Sequence, residues 1–517
     1  MERAAAILLP LFSLWTENDL GRGDIGALRP FARWILKMGH RMLQLLPLSE
    51  TAAGENSPYS ALSVFSIDPL YVSVDELVGV PHEEIERART RVRGRRTIAR
   101  AELRALKLPL LRAAFAHFYQ HAGAAERSAF EKFVAENRHW LEDYALFRAL
   151  KDRFDWAGWQ HWPADIRDFE RAPIAAARRE LQSAMTMYSY WQYLAHEQWR
   201  NARAELAAWG IGLIGDLAFL PATDSADVWS NQHLFILDRQ VGAPPDAFSA
   251  SGQRWGLPMP NWPRMRSDDL RWWRERARKS AQLYDAVRID HVVGFYRTYS
   301  FSSDPDEPGE FFPQSEAAQR EQGEAFFMML NQEIGEGRII GEDLGTVPPW
   351  VRLSLTALGV LGLKVFRWEK KDWHTPRERF IPPAEFPELS VAVTSTHDTE
   401  TLAQWWRESA PAERLQLASA MKFPASLDIA SPTLKTDLLD AILGQLYASP
   451  SRLVLAPIQD LFGWEERINV PGSVDDRNWT YRLPQPVERL AADRAIEERT
   501  RKLFEMARQA RRIRGDV

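Results

Sequence analysis

Three acidic residues stand at the ends of short apolar runs in the second half of the chain: Asp290 in AVRIDHVVGF, Glu342 in RIIGEDLG and Asp398 in SVAVTSTHDTE. Each run is rich in Val, Ile or Ala and stops at a charged or glycine-containing turn, where a parallel barrel exposes its chemically active side chains. Each acid also has a distinctive neighbour, respectively Arg288, Asp343 and His397. Paired carboxylates are what cleavage of a sugar acetal requires. One attacks or stabilises the cation and the other protonates the leaving oxygen.

Arg288 and Asp290 are two apart, so on a strand they point to the same side. A cation there holds the carboxylate ionised for attack; a structural ion pair at a strand end would use the same two residues. Glu342 suits an acid/base whose pKa is raised by its acidic neighbours, although an acid just before Thr346 and Pro348 also fits a helix N-terminus. The Asp398 carboxylate suits ring hydroxyls of a distorted sugar, with His397 supplying a second hydrogen bond. Asp216, ending IGLIGD, is a fourth acid expected on the same rim.

These acids need elements to hold them. The pattern predicts eight strands, at 6–9, 42–46, 212–219, 286–293, 338–341, 362–366, 391–395 and 452–456. They are Val/Ile/Leu-rich rather than alternating, as strands buried on both faces must be. Amphipathic connectors such as 27–38 and 348–358 are long enough for βα crossovers. The expected fold class is α/β, a (β/α)8 TIM barrel with large, mainly helical insertions in the βα loops around the active site. One insertion is expected at 52–209, after the second strand, and another at 222–285, after the third. Loops on that face surround the mouth of such barrels. The chain, 1–517, reads as a single catalytic unit.

The 517 residues suffice for a large core without staples, and there is no cysteine, which excludes disulfides, thiolate nucleophiles and Cys-based zinc sites. The net charge of −5 comes from many charges of both signs, a balance without a nucleic-acid or membrane signature. The Arg-rich stretch 87–112 interleaves acids and apolar residues, as a solvated helix face does. The N-terminal MERAAAILLPLFSLW lacks the basic run and small-residue cleavage site of a signal peptide, and a cytoplasmic protein is expected. Among 21 tryptophans, the doublets Trp272–Trp273 and Trp405–Trp406, and Trp255 in a Gly-flanked loop, suit stacking on sugar rings.

Two other motifs fail on context. Gly21-Arg22-Gly23-Asp24-Ile25-Gly26 matches a dinucleotide fingerprint, but TENDL separates it from the preceding strand and the second strand ends in Pro47-Leu48 rather than an acid. His196-Glu197-Gln198-Trp199-Arg200 starts like a zinc-protease helix, yet Arg200 takes the place of the second histidine. No metal or organic cofactor is called for.

Taken together, Gly21–Gly26, LQLLPL, Ser57-Pro58-Tyr59-Ser60, IGDLAFLPATDSADVW, PPDAFSASGQRWG, RIDH, GEDLG, STHDTE and Asn469-Val470-Pro471-Gly472-Ser473 with Asn478-Trp479 follow one another in a specific order. In this the chain resembles, nearly end to end, the amylomaltases or 4-α-glucanotransferases of the α-amylase-like retaining enzymes. The resemblance implies Asp290 as nucleophile, Glu342 as acid/base and Asp398 as transition-state stabiliser. It implies Ser57, Tyr59, Asp216, Trp255, Arg288, His291, His397 and Asn469 as substrate-binding or supporting residues, and a loop at 241–258 that covers the cleft. The partners it implies are α-1,4-glucans and maltooligosaccharides as donors, with glucose or maltodextrin as acceptor. The chain departs from the pattern in VVGFYRTY after RIDH, in LPMPNW after GQRWG and in Ser473 where threonine is frequent; these positions bear on chain-length preference rather than on the acids. Two other readings share the acid pattern: a hydrolase of the α-amylase type, and a silent glucan-binding barrel.

Overall fold

The computed structural model describes residues 2–245, 252–304, 307–372, 375, 378–473 and 476–513. Its centre is a closed barrel of parallel strands: β1 (Ala4–Leu8), β2 (Met42–Gln44), β3 (Gly212–Leu217), β4 (Ala286–Ile289), β5 (Ile339–Gly341), β6 (Leu361–Val365), β7 (Ser390–Val393) and β8 (Leu453–Pro457). Neighbours in sequence are neighbours in space around the ring, and β8 closes onto β1. Every residue of β1, β4, β7 and β8 is buried. That is the consequence of side chains filling the barrel on one side and helices covering the other.

The helix Leu28–Lys37 shows how the sequence builds the outer layer. Leu28, Phe31, Ala32, Trp34 and Ile35 form one apolar stripe and are its buried residues. The helix stops where Gly39 takes φ +74°. There His40 N donates to Ile35 O at 3.1 Å and Gly39 N to Leu36 O at 2.9 Å, the paired bonds of a Schellman ending.

Between β2 and β3 lie the helices His82–Val92, Arg100–His121, Ala124–Glu136, Arg138–Arg153, Arg171–Glu180 and Gln182–Ala208, with shorter turns among them. The connections after β3 and β4 differ from the helical expectation. They contribute a four-stranded antiparallel sheet in the order Gln253–Pro260, Phe235–Ala243, Thr298–Ser302, Glu310–Phe312. Of the segment 241–258, residues 241–243 and 253–258 belong to the strands Phe235–Ala243 and Gln253–Pro260, and residues 246–251 lie outside the described residues. Backbone pairing with the later strands supplies what the local pattern did not show.

The predicted strands at 212–219, 286–293 and 391–395 end earlier, at Leu217, Ile289 and Val393. At β4 the cause is visible. His291 sits in the left-handed region at φ +48°, which no strand continues through, and the chain then enters the short helix Val293–Tyr296. Apolar residues beyond the turn kept the sequence pattern running.

The loop between Thr51 and Ala61, which pair as an isolated bridge, carries Tyr59 towards the barrel mouth. Its base is held by Glu50, 1% exposed. The Glu50 carboxylate accepts from Tyr144 Oη and, at 3.0 and 3.1 Å, from Arg148 Nε; both partners lie on the helix Arg138–Arg153. Leu62 N donates to Glu50 O at 2.7 Å. Arg148 in turn packs on the rings of Trp156 and Tyr188, each 4.6 Å from the centroid. Removing one partner of a buried ion pair leaves the other charge unpaired. Glu50→Ala is accordingly expected to cost about 3–5 kcal/mol of unfolding free energy, read by urea denaturation; a loss no larger than that of an exposed pair would show that Arg148 is satisfied without it.

Candidate active site

Barrel register places the acids before any side chain is considered. Asp216 of β3 pairs with Arg288 of β4, and Ile289 of β4 with Gly341 of β5. Asp290 and Glu342 each come one residue later, so they are side-by-side neighbours where adjacent strands run about 4.8 Å apart. The pairing extends into the turns: Asp290 N donates to Leu217 O at 3.1 Å and Glu342 N to Ile289 O at 3.0 Å. Alternation then sends Asp216, Arg288 and Asp290 to the same side of the sheet.

Arg288 joins them. Its Nη1 donates to both oxygens of Asp216, at 2.7 and 2.9 Å, and its Nη2 lies 3.0 Å from Asp290 Oδ1. Burial works against this cation, but Asp216, Tyr59, Asp290 and Glu342 together hold its pKa well above the usual arginine value. Asp216 is sealed off at 6% exposure, whereas the Asp290 carboxylate remains open to the cleft.

Glu342 is held by main-chain donors. Its Oε2 accepts from His291 N at 2.9 Å and its Oε1 from Leu344 N at 3.2 Å. The left-handed backbone of His291 belongs to the tight turn that brings this N–H to the carboxylate. Burial pushes the Glu342 carboxyl up to about 8, against the pull of Arg288, with Asp290 adding repulsion. Burial also holds the His291 imidazole down at about 4, so it is neutral at pH 7. Its ring meets Trp255 and Phe219 edge to face, with centroids 4.8 and 5.2 Å away.

Asp398 follows β7 and lives in the opposite electrostatic setting. Burial would raise its carboxyl, but His397 and Asn469, with Arg288 further off, outweigh it and bring it to about 2. Asn469 Nδ2 donates to Oδ1 at 2.6 Å, and His397 Nε2 lies 3.0 Å from Oδ2. The same Nε2 is 2.9 Å from Tyr59 Oη, which donates to Asp216 Oδ2 at 3.0 Å. Since the phenol proton goes to Asp216, the network assigns the imidazole proton to Nε2. The Tyr59 ring stacks on His397, 5.6 Å between centroids and 19° between planes. A continuous polar path thus runs from Arg288 through Asp216, Tyr59 and His397 to Asp398 and Asn469.

Of the residues named from sequence, Ser57 stands apart. Its Oγ accepts from Tyr59 N at 3.3 Å, so it shapes the turn that carries Tyr59. Trp255 sits on the strand Gln253–Pro260 rather than in a loop. The expectation for the tryptophan doublets is corrected. Trp272, Trp273 and Trp406 are 7%, 0% and 0% exposed, because each lies on the inner stripe of an amphipathic helix, and Trp405 is half-buried. Asp343, singled out beside Glu342, turns away and accepts from Leu363 N of β6 at 2.8 Å, stapling two strands.

Other contributors carried no signal of their own. Trp479, in the left-handed region at φ +62°, brings its ring to 5.8 Å from Tyr59 and 6.0 Å from His397. Arg467 Nη2 donates to Asp398 O at 3.0 Å. Trp368, on the turn after β6, is 39% exposed on the face where the acids lie. Trp479 stood inside a recognised motif without a role, and exposure of one tryptophan among many is invisible in sequence.

The sequence model of the family described as 4-alpha-glucanotransferase matches residues 9–488 of this chain. The 4-alpha-glucanotransferase of Chlamydia pneumoniae is 32% identical over 503 residues, covering 94% of this chain and 92% of that protein. That of Thermus thermophilus is 32% identical over 522 residues, covering 97% and 100%. The structure of an amylomaltase from Streptococcus agalactiae in complex with acarbose superposes with a TM-score of 0.84 at 24% identity, over 99% of this chain and 100% of that one, a likeness of fold.

The Glu342 environment has a consequence for stability. A carboxyl near 4.5 in the unfolded chain and about 8 in the folded one is protonated only in the folded state between those values. Stability then falls as pH rises through that window. The urea midpoint of the wild type should decline relative to that of Glu342→Gln between pH of about 5 and about 8; parallel midpoints would show that the folded carboxyl is not perturbed.

Proposed function

The chain belongs to the 4-alpha-glucanotransferase family, and from that premise we propose that Asp290, Glu342 and Asp398 carry out a retaining double displacement on α-1,4-glucan. Donors are maltodextrins and the acceptor is the 4-hydroxyl of glucose or another maltodextrin. The observation that supports this reading best is the pair of neighbouring carboxyls with opposed environments: Asp290 beside the Arg288 guanidinium, and Glu342 buried with its carboxyl at about 8. One lies open beside a cation and the other holds a proton, which suits the division of labour that acetal cleavage needs.

Glu342 gives its proton to the glycosidic oxygen while Asp290 attacks the anomeric carbon. The C–O bond to the leaving fragment breaks and a glycosyl ester to Asp290 forms. The Glu342 carboxylate then takes the proton of the incoming 4-hydroxyl, whose oxygen displaces Asp290. Two inversions give net retention, for which carboxyls stand roughly 5–5.5 Å apart. Asp398, held well below the usual carboxylate range, stays anionic through the cycle and stabilises the oxocarbenium-like sugar. Tyr59, His397 and Asn469 hold it and the sugar in place. Trp255, above the neutral His291, and the exposed Trp368 offer apolar faces to flanking rings.

Transfer requires a sugar to outcompete water at the ester. The hairpin arms Phe235–Ala243 and Gln253–Pro260, with Trp255 on the second, are placed to narrow the acceptor side and exclude solvent. Among the described residues no helix is long and apolar enough to cross a membrane; we take the enzyme to act on cytoplasmic glucan. The helices from 52 to 209 and the segment 222–285 are read as insertions walling the groove on one catalytic unit.

With maltotriose the wild type is expected to give glucose and a ladder of longer maltodextrins at constant reducing ends. Rising reducing ends without longer products would make it a hydrolase. Asp290→Asn should lose turnover by about 10⁴-fold or more while still binding maltodextrin; an active variant would remove Asp290 as nucleophile. The kcat/KM profile should fall on the alkaline side as Glu342 loses its proton at about 8, and a flat profile to pH of about 9 would rule that acid out.

A further inference from the structure

Arg276 lies outside the acid triad, on the helix Arg271–Leu283 that leads into β4. It is 3% exposed. Its hydrogen bonds go to main-chain carbonyls rather than to carboxylates: Nη2 to Ala218 O, and Nη1 to Phe219 O at 3.3 Å. The guanidinium packs on Trp272 and Trp273, 5.6 and 5.0 Å from their ring centroids. A buried cation in this situation carries a large desolvation cost that indole faces and carbonyl dipoles offset only in part. Burial brings Arg276 down to about 9, and the fields of Asp227, Asp290 and Asp216 act in the other direction.

The two carbonyls it holds belong to the residues immediately after β3. Leu217, just before them, accepts the N–H of Asp290. Phe219 sets its ring edge-on to His291 and to Phe295, with centroids 5.2 and 4.9 Å away. His291 in turn donates its N–H to Glu342. One side chain therefore fixes a segment that adjoins the main-chain partner of Asp290 and meets the ring of His291, the N–H donor to Glu342.

We propose that Arg276 is a positioning residue for glucan transfer: it clamps Ala218 and Phe219 beneath Asp290 and His291, and its charge acts on the acid rim from outside the substrate cleft. Coulombic influence is mutual, so the acids that act on Arg276 are acted on by it, and buried charges are little screened by salt. The acids that act on it are Asp227 from the helix Ala226–Ser230, Asp290 from the turn after β4 and Asp216 from β3, and Lys279 follows it by three residues on its own helix. Lys279 is bound to Asn137 Oδ1 at 3.1 Å and packs on Trp140, facing the insertion rather than the rim. Arg288 already neutralises Asp216 directly. Arg276 is thus a second cation acting on the rim from behind the strand ends.

This inference rests on the assignment of Asp290 and Glu342 made above, and the test separates the two. Arg276→Lys, Arg276→Met and Arg276→Gln are compared with the wild type for the pH dependence of kcat/KM on maltotriose, with kcat, glucan binding and thermal unfolding measured alongside. Lysine lacks the planar fork that holds the two carbonyls in one geometry, so kcat should fall about 10-fold while the acid limb moves less than in the neutral variants. Methionine removes both functions: kcat should fall about 100-fold and the acid limb should move to higher pH by about half a unit or more. Glutamine is neutral yet can reach one carbonyl; it should show the same shifted limb as methionine and stands in for it should that variant not fold. An acid limb that stays put in the neutral variants, or a lysine variant with unchanged kcat, overturns the proposal. An active Asp290→Asn variant would instead overturn the nucleophile assignment, whatever the Arg276 variants do.

Discussion

One buried guanidinium organises this molecule. Arg288 points into the barrel from β4, with the paired Asp216 on one side and Asp290 two residues on. A cation at 5% exposure carries a large desolvation cost, which the carboxylates in contact with it offset. The same need fixes which strands must be adjacent, in which register, and how Asp290 is aimed. The barrel satisfies it because parallel strands in register set residues of neighbouring strands side by side, while alternation keeps Arg288 and Asp290 on one face.

From that centre two carboxyls are driven apart. Glu342 receives main-chain N–H bonds but lies deep and next to other acids, so it holds its proton. Asp398 is reached by an imidazole and an amide that favour its anion. The difference arises from partners and not from residue type, since both are carboxylates at the ends of similar strands. Tyr59 and His397 connect the two settings, and the loop bearing Tyr59 depends on Glu50 and Arg148 in the helical layer far along the chain. The loop at the mouth is thus supported by a salt bridge buried against the helical layer.

The eight barrel strands were legible because burial on both faces writes itself as short runs of Val, Ile, Leu and Ala. Their ends were less so. Apolar residues such as Val292 and Val293 continue past β4, and only the left-handed turn at His291 shows where the strand stops. The antiparallel sheet over the mouth was missed because its strands, notably Gln253–Pro260, contain glycine and proline and are held by partners remote in sequence. The tryptophan doublets misled for a related reason. Composition offers aromatic surface, but helix periodicity turned Trp272, Trp273 and Trp406 inward while Trp368, with no doublet to mark it, stands exposed.

The sequence by itself determined the barrel, the order of its strands and that Asp290, Glu342 and Asp398 follow three of them, because those features lie in hydrophobic pattern and residue order. Tertiary structure alone decided which acid keeps a proton, that Ser57 shapes a turn, that Trp479 packs near Tyr59 and His397 while Arg467 bonds Asp398 O, and that Arg276 is buried on main-chain carbonyls. Those outcomes depend on desolvation and on distances between residues tens to hundreds of positions apart. Both quantities arise only when the chain is packed, so no local reading of residues contains them.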